Sequence, residues 1–323
     1  MNILSSEDIP CIDVSHLQEE SPEYKDTIKK IQSSCLNPGF FCLENLPVDT
    51  EKCIDTTISH MEYFFSLDDT HSIKENINVT GGGNTYGWMP MFQEPAYEAG
   101  TIAHVESFDF GRSAKKIEAA DFIQNQWPNI PEFKKDIRSI WNEYTNIGML
   151  TLKAIARSLQ LSKNFLVENC NSQDLSTMRL LNYPAIDASI INENNVGISA
   201  HTDFECITLI SQTTSGLELL GTDNKWYQAS SDNKKIIVII GKMLEVWTNG
   251  KIQATKHRVN NREWQRYSTV LFFGVNDEII VEPLQKFVDK GKSANYSPIK
   301  QREHINNELS KAEINRDASL NTQ

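Results

Sequence analysis

Apolar positions in the first half of the chain recur at helical spacing between short apolar runs, and beyond about residue 175 the repeat shortens from about 3.6 residues to about 2. Residues 9–14 form a short, proline-containing apolar edge. The pattern over 24–35 predicts a helix that Asn37-Pro38-Gly39 stops, and 40–43 reads as a buried strand. Ile54, Ile58, Met61 and Phe65 share one face of a second helix, with Asp49 as its expected N-cap. After Pro131, the spacing of Phe133, Ile137, Ile140, Trp141 and Tyr144 opens the longest helix, running over about 132–159.

The period-2 region predicts strands at 179–183, 206–211, 217–220, 236–240, 245–248, 252–259 and 268–274, separated by Asn, Gly and Asp turns. Asn249-Gly250 is the strongest of these turn signals, because a two-residue hairpin needs positive φ at both positions. Many short strands with helices before them predict a mainly β fold with flanking helices, built on a double-stranded β-helix of the jelly-roll, cupin-like kind. We expect one structural unit: a mixed N-terminal region 1–100 packed on a core 101–290, and a polar tail 291–323 that is either a final surface helix or frayed. Gly81, Gly82 and Gly83 lack the Lys-Ser/Thr of a phosphate loop, which leaves a flexible loop or a lid over a pocket.

Composition narrows the functions. Thirty-one Lys plus Arg against 43 Asp plus Glu give a formal charge of −12, which disfavours nucleic acid and anionic membranes as partners. The N-terminus shows no export or transit pattern, and no apolar run approaches the about 18 residues of a membrane span. A soluble, cytoplasmic protein is expected. Its six cysteines have no CxxC or regular spacing, so they are expected as reduced, mostly buried thiols.

The chemistry concentrates around His201-Thr202-Asp203, where an imidazole and a carboxylate two residues apart leave the same face of an extended segment. With a second imidazole they form the facial arrangement that leaves positions open on Fe(II). His257 and His304 are the two histidines downstream; His304 falls in the polar tail, so His257, expected at the end of a strand returning from the Asn249-Gly250 hairpin, is the third candidate. Nine residues further on, Arg266 and Ser268 set a guanidinium and a hydroxyl on one strand face, a donor set that suits the remote carboxylate of 2-oxoglutarate.

Along the chain, the segments Ile9-Pro10-Cys11-Ile12-Asp13, Gly39-Phe40-Phe41, Phe64-Phe65 and Glu106-Ser107-Phe108-Asp109-Phe110-Gly111 come first, followed by Asn182-Tyr183-Pro184 and His201-Thr202-Asp203. Thr208-Leu209, Ser215-Gly216-Leu217, Leu244-Glu245-Val246-Trp247-Thr248-Asn249-Gly250, His257-Arg258-Val259 and Arg266-x-Ser268 complete the order. Together they resemble the isopenicillin N synthase-like family of Fe(II)/2-oxoglutarate dioxygenases, which includes plant gibberellin and flavonoid oxidases. The resemblance implies iron on His201, Asp203 and His257, with Arg266, Ser268 and Tyr183 contacting 2-oxoglutarate. Leu181 stands where many plant members have asparagine.

What the resemblance implies is a hydroxylase or desaturase for a small molecule, using Fe(II), 2-oxoglutarate and O2, with ascorbate as a candidate reductant and succinate and CO2 as products. A 2-oxoglutarate-independent oxidase on the same triad and a non-catalytic small-molecule-binding protein are the alternatives. Tyr86, Trp88, Phe108 and Phe204 are the aromatic candidates for contacting substrate.

Overall fold

A computed structural model describes residues 3–80, 85–112, 124–192 and 194–321; the glycines at 81–83 lie outside the described residues. The main strands, in chain order, are β1 (Cys11–Asp13), β2 (Phe40–Glu44), β3 (Trp88–Met89), β4 (Glu106–Gly111), β5 (Thr177–Tyr183) and β6 (Ile198–His201). They continue with β7 (Ile207–Gln212), β8 (Leu217–Leu220), β9 (Trp226–Gln228), β10 (Ile236–Ile240), β11 (His257–Val259) and β12 (Arg266–Phe273). The helices used below are α1 (Tyr24–Leu36), α2 (Val48–Ser66), α3 (Phe133–Ser158), α4 (Lys242–Trp247) and α5 (Gln301–Leu320).

Two sheets face each other. The larger has eight strands in the order β1-β2-β10-β7-β12-β5-β4-β3, and the smaller has four in the order β6-β11-β8-β9. From β5 to β12 the chain passes back and forth between them, which is the winding of a jelly roll. The N-terminal β1 and β2 pair in parallel and extend this large sheet through β2 and β10, so residues far from the site in sequence complete its scaffold.

Strand parity separates two apolar layers. Ile210 of β7, Leu181 and Tyr183 of β5 and Val270 of β12 point between the sheets, where they meet Ile198, Leu217, Leu219 and Val259 of the small sheet. On the other face, Leu209, Leu271, Phe273, Met178, Leu180, Phe108 and Phe110 pack under α2 and α3. Each such fully buried side chain contributes about 1.5–3 kcal/mol, which fixes the register of the strands that carry the site.

Several local expectations are corrected. α2 begins at Val48 with Pro47 at the cap position, and Asp49 lies in its first turn. The strand expected over 245–248 is instead the end of helix α4, 242–247: Met243, Leu244, Val246 and Trp247 are all buried, a set that alternation cannot bury on one sheet face. Asn249 and Gly250 do have positive φ (53° and 81°), but they end α4, with Asn249 N–H donating to the Val246 carbonyl and Gly250 N–H to that of Glu245. The strand expected over 252–259 shrinks to β11, which His257 starts. The polar tail forms a 20-residue helix, α5. All six cysteines are free thiols, four of them buried. No helix among the described residues is long and apolar enough to cross a membrane.

Candidate metal centre and active-site cavity

His201 ends β6 and pairs in register with His257, which opens β11. Their rings lie 4.3 Å apart, and Asp203 follows two residues after His201. Nε2 of each imidazole is 3.6 Å from Asp203 Oδ1, and one donor atom from each residue falls within 4.8 Å of the others. The three side chains converge on one point.

The atoms behind them decide which lone pairs face it. His201 Nδ1 lies 2.8 Å from the Ser199 carbonyl and His257 Nδ1 lies 3.1 Å from that of Thr255. A carbonyl oxygen only accepts, so both Nδ1 atoms carry the proton and both Nε2 atoms present a free lone pair. Asp203 Oδ2 accepts from the Thr208 hydroxyl, which leaves Oδ1 for the imidazoles. Burial, with His257 adding to it, holds the His201 imidazole well below its ordinary pKa, so it stays a neutral donor. Two neutral nitrogens and one carboxylate suit a divalent ion that tolerates N and O ligands.

The turn bearing Asp203 is clamped from behind. Lys242 and Met243 N–H groups, at the start of α4, donate to the carbonyls of Asp203 (2.9 Å) and Glu205 (3.0 Å). Gly241 permits that approach, since a Cβ there would sit 2.2 Å from the Glu205 carbonyl oxygen. Burial and the neighbouring Asp203 push the Glu205 carboxyl up to about 8.

Around the triad opens a cavity of about 1410 Å³. Every second residue of β12, namely Arg266, Ser268, Val270 and Phe272, faces it, as do Thr177, Arg179, Leu181 and Tyr183 of β5. Arg266 pairs with Tyr183 and Ser268 with Leu181 across the strands. The Arg266 guanidinium stands 4.4 Å over the Tyr183 ring, and its Nε donates to Gln212 Oε1 at 2.8 Å. Its Nη1 is buried without a hydrogen-bond partner among the described residues. Burial lowers its pKa, the mark of a cation short of a counter-charge. A carboxylate is the group whose paired oxygens match a guanidinium edge of this kind. Ser268 Oγ donates to the Ser211 carbonyl at 3.0 Å, a bond its rotor exchanges readily for a ligand oxygen.

Of the aromatic candidates, Tyr86 and Phe204 line the cavity, with Tyr86 hydroxyl 2.8 Å from Thr177 Oγ1. Trp88 and Phe108 do not. They pair with each other on β3 and β4, at 1% and 0% exposure, on the face turned toward the helices. Trp88 Nε1 donates to Glu106 there, and Phe108 packs edge-on against Phe133 at 5.4 Å. The residues they alternate with, Asp109 and Gly111, are the ones that reach the cavity.

Sequence reasoning missed Tyr97, stacked on the His201 ring at 4.3 Å and 14°, and also Thr208 behind Asp203 and Gln212 behind Arg266. Thr208 and Gln212 share the inward parity of Ile210, a usable signal; Tyr97 lies on a loop, where no periodicity announces it.

Known proteins carry the same plan. Residues 176–275 match the 2OG-Fe(II) oxygenase superfamily, and residues 9–130 match the family described as non-haem dioxygenase in morphine synthesis, N-terminal. The chain is 30% identical over 279 residues to the 2-oxoglutarate-Fe(II) type oxidoreductase ppzD of Metarhizium rileyi, covering 81% of this chain and 78% of that one. A solved 2OG-Fe(II) oxygenase family protein from Caulobacter crescentus superposes with a TM-score of 0.80 at 27% identity, over 94% of this chain and 99% of that one. A full-length Neurospora crassa protein, solved in complex with alpha-KG, shares the fold at a TM-score of 0.79 and 23% identity, over 94% and 96% of the two chains. Likeness of this extent, on a scaffold that gathers two imidazoles and a carboxylate beside a buried guanidinium, places the chain in the 2OG-Fe(II) oxygenase superfamily, as a 2-oxoglutarate-dependent non-haem Fe(II) dioxygenase.

Proposed function

We propose that His201, Asp203 and His257 hold Fe(II), that Arg266 with Ser268 and Tyr183 holds the C5 carboxylate of 2-oxoglutarate, and that the enzyme hydroxylates or desaturates a small molecule while releasing succinate and CO2. The observation that carries this reading is the pairing of a convergent N, N, O donor set with a buried, half-satisfied guanidinium in one cavity. His201, Asp203 and His257 would hold Fe(II), which when bound would supply O2 activation coupled to oxidative decarboxylation of 2-oxoglutarate.

The protein's own groups do the rest. The Ser199 and Thr255 carbonyls keep both imidazoles in the ligating tautomer, and Thr208 orients the carboxylate. Arg266 is aimed by Gln212, whose Nε2 donates to the Ser230 carbonyl at 2.7 Å. Leu181, Ile210, Leu217 and Val270 line the same cavity with carbon, which excludes water from the charge pair and strengthens it. The unpartnered Arg266 nitrogen favours a dicarboxylate cosubstrate over an oxidase that uses none. Tyr86 and Phe204 are the proposed aromatic contacts to substrate.

Metal titration and succinate release test the assignment. His201→Ala and Asp203→Ala are expected to lose metal binding and turnover. Arg266→Ala is expected to raise the half-saturating 2-oxoglutarate concentration by a factor equivalent to about 1.5–3 kcal/mol, the worth of hydrogen bonds to a charged group. Full metal affinity in either ligand variant, or an unmoved 2-oxoglutarate requirement, overturns the corresponding assignment.

A further inference from the structure

One wall of the cavity carries a charge imbalance that the proposed iron and 2-oxoglutarate contacts leave untouched. Arg179, on β5, faces the cavity two positions from Leu181. Its Nε donates to both Asp109 oxygens at 2.9 and 3.1 Å, and its Nη2 donates to Asp109 Oδ2 at 2.8 Å. Its Nη1 donates to Glu94 Oε1 at 2.8 Å. One guanidinium therefore serves two buried carboxylates, with Glu94 at 3% and Asp109 at 8% exposure. Glu94 Oε2 is buried without a hydrogen-bond partner among the described residues.

Arg316 acts on Glu94 through its charge alone, and three arginines near this wall bond to other groups. Arg316 donates to the Gln93 carbonyl and to Asp317, Arg112 pairs with Asp174, and Arg302 pairs with Asp277. A bare buried carboxylate oxygen is costly, and an apolar substrate filling the cavity would leave it so. Burial pushes the Glu94 carboxyl above its ordinary pKa even with Arg179 beside it, so the pair alone does not compensate the charge. Glu94 is also well placed relative to the chemistry. Three residues on, Tyr97 stacks on His201, and its backbone N–H is tied to Ser199 Oγ at 3.0 Å, docking this segment against β6.

We infer that Glu94, held by Arg179, selects the substrate, and that it takes a small molecule bearing a protonated nitrogen, an amine or a guanidinium, whose N–H groups reach Oε2. The inference rests on the reading of this cavity as the active site. Arg179 and Asp109 act as positioning residues: they hold the carboxylate in one orientation and leave the wall with one negative charge in excess.

Binding of charged and neutral isosteres to the full-length enzyme, loaded with Mn(II) and 2-oxoglutarate, tests it by calorimetry. The probes are L-arginine against L-citrulline and L-lysine against L-norleucine. In at least one pair the cation is expected to bind at least about tenfold more tightly than its neutral partner, a difference of about 1.4 kcal/mol. Glu94→Gln, which keeps shape and removes charge, is expected to bring that ratio close to one, with thermal unfolding as the check on folding. Should this variant not fold, Glu94→Asp, which keeps the charge but withdraws it, is expected to lower the ratio as well.

Ratios near one in both wild-type pairs, no binding by either cation, or a ratio that survives in the folded Glu94→Gln variant overturns the inference. 2-Oxoglutarate binding is measured first on the Mn(II) enzyme. Its failure sinks the reading of the active site, whereas normal 2-oxoglutarate binding with ratios near one sinks only the role of Glu94.

Discussion

A guanidinium recognises a carboxylate only if its plane is held, and here Gln212 holds it. Gln212 is 2% exposed, accepts from Arg266 Nε, and is itself anchored on the Ser230 and Ala229 carbonyls. Gln212→Leu keeps the volume and removes the acceptor. The expected result is a rise in half-saturating 2-oxoglutarate of roughly five- to tenfold, the loss of about 1–1.5 kcal/mol, with metal affinity unchanged. Parallel titrations with 2-oxoglutarate and Mn(II) separate the two, and a lost metal site would point to misfolding instead. At this scale the convergence of His201, Asp203 and His257 and the inward-facing Arg266 were legible in the sequence, because their chemistry is rare and their spacing short. The sequence hid Gln212, whose partner lies 54 residues away. Phe108 shows the opposite failure: an aromatic near a site reads as a contact until parity is known. Buried with Phe64, Phe133 and Trp127 around it, Phe108→Ala is expected to lower unfolding stability by about 3–5 kcal/mol. Denaturant unfolding measures that loss, and a variant of wild-type stability with altered substrate preference would return Phe108 to the cavity.

Helix α4 shows how an element can be misread and still do the work expected of its residues. The positive φ pair Asn249-Gly250 serves a hairpin or a helix end equally well, and local sequence does not choose between them. The choice came from burial of the four apolar side chains of 242–247 and from Glu245, whose carboxylate accepts from the Ala254 N–H at 2.6 Å and the Tyr296 hydroxyl at 3.0 Å. These are long-range contacts, invisible to a window of a few residues. The start of α4 buttresses the turn that carries Asp203, and Gly241 is the contact point. Gly241→Ala puts a Cβ against the Glu205 backbone, so either α4 or the ligand turn must shift. Overpacking of this kind costs about 1–3 kcal/mol, and metal affinity is expected to fall because the Asp203 carbonyl loses its Lys242 donor. Metal titration of the folded variant checks it; unchanged affinity would show that the turn holds its shape without the helix.

The whole molecule closes its cavity with α5, the segment least legible in sequence because its polar composition fits a surface helix and a frayed tail equally well. Ile305, Asn306 and Leu309 line the cavity, and Arg302 grips Asp277 through two bonds of 2.8 and 2.7 Å. His304 lies on the same helix, edge-on to Phe204 at 5.4 Å, and burial depresses its imidazole below the ordinary 6.5. Between its folded pKa and 6.5 the unfolded chain takes up the proton and the folded chain does not. Its contribution is therefore present above pH 6.5 and is lost as pH falls through the folded value. Glu245 behaves alike at lower pH: burial raises its carboxyl, but Lys242, the Ala254 N–H and Tyr296 outweigh that and bring it below 4.5, so its contribution is lost only under stronger acid. The formal charge of −12 acts the other way, since protonating carboxylates relieves self-repulsion; apart from the buried Glu205 and Glu94, whose raised values favour the folded chain as pH falls, that begins near the ordinary carboxylate values of about 4. Loss of stability between about pH 6.5 and 5 thus belongs to histidines rather than to net charge. Metal-free wild type is expected to lose more thermal stability than His304→Asn on going from about pH 7.5 to about pH 5, because the variant has no imidazole to charge under α5. Thermal unfolding of both proteins at the two pH values decides it: parallel losses would mean that His304 takes up its proton without disturbing the helix that closes the cavity.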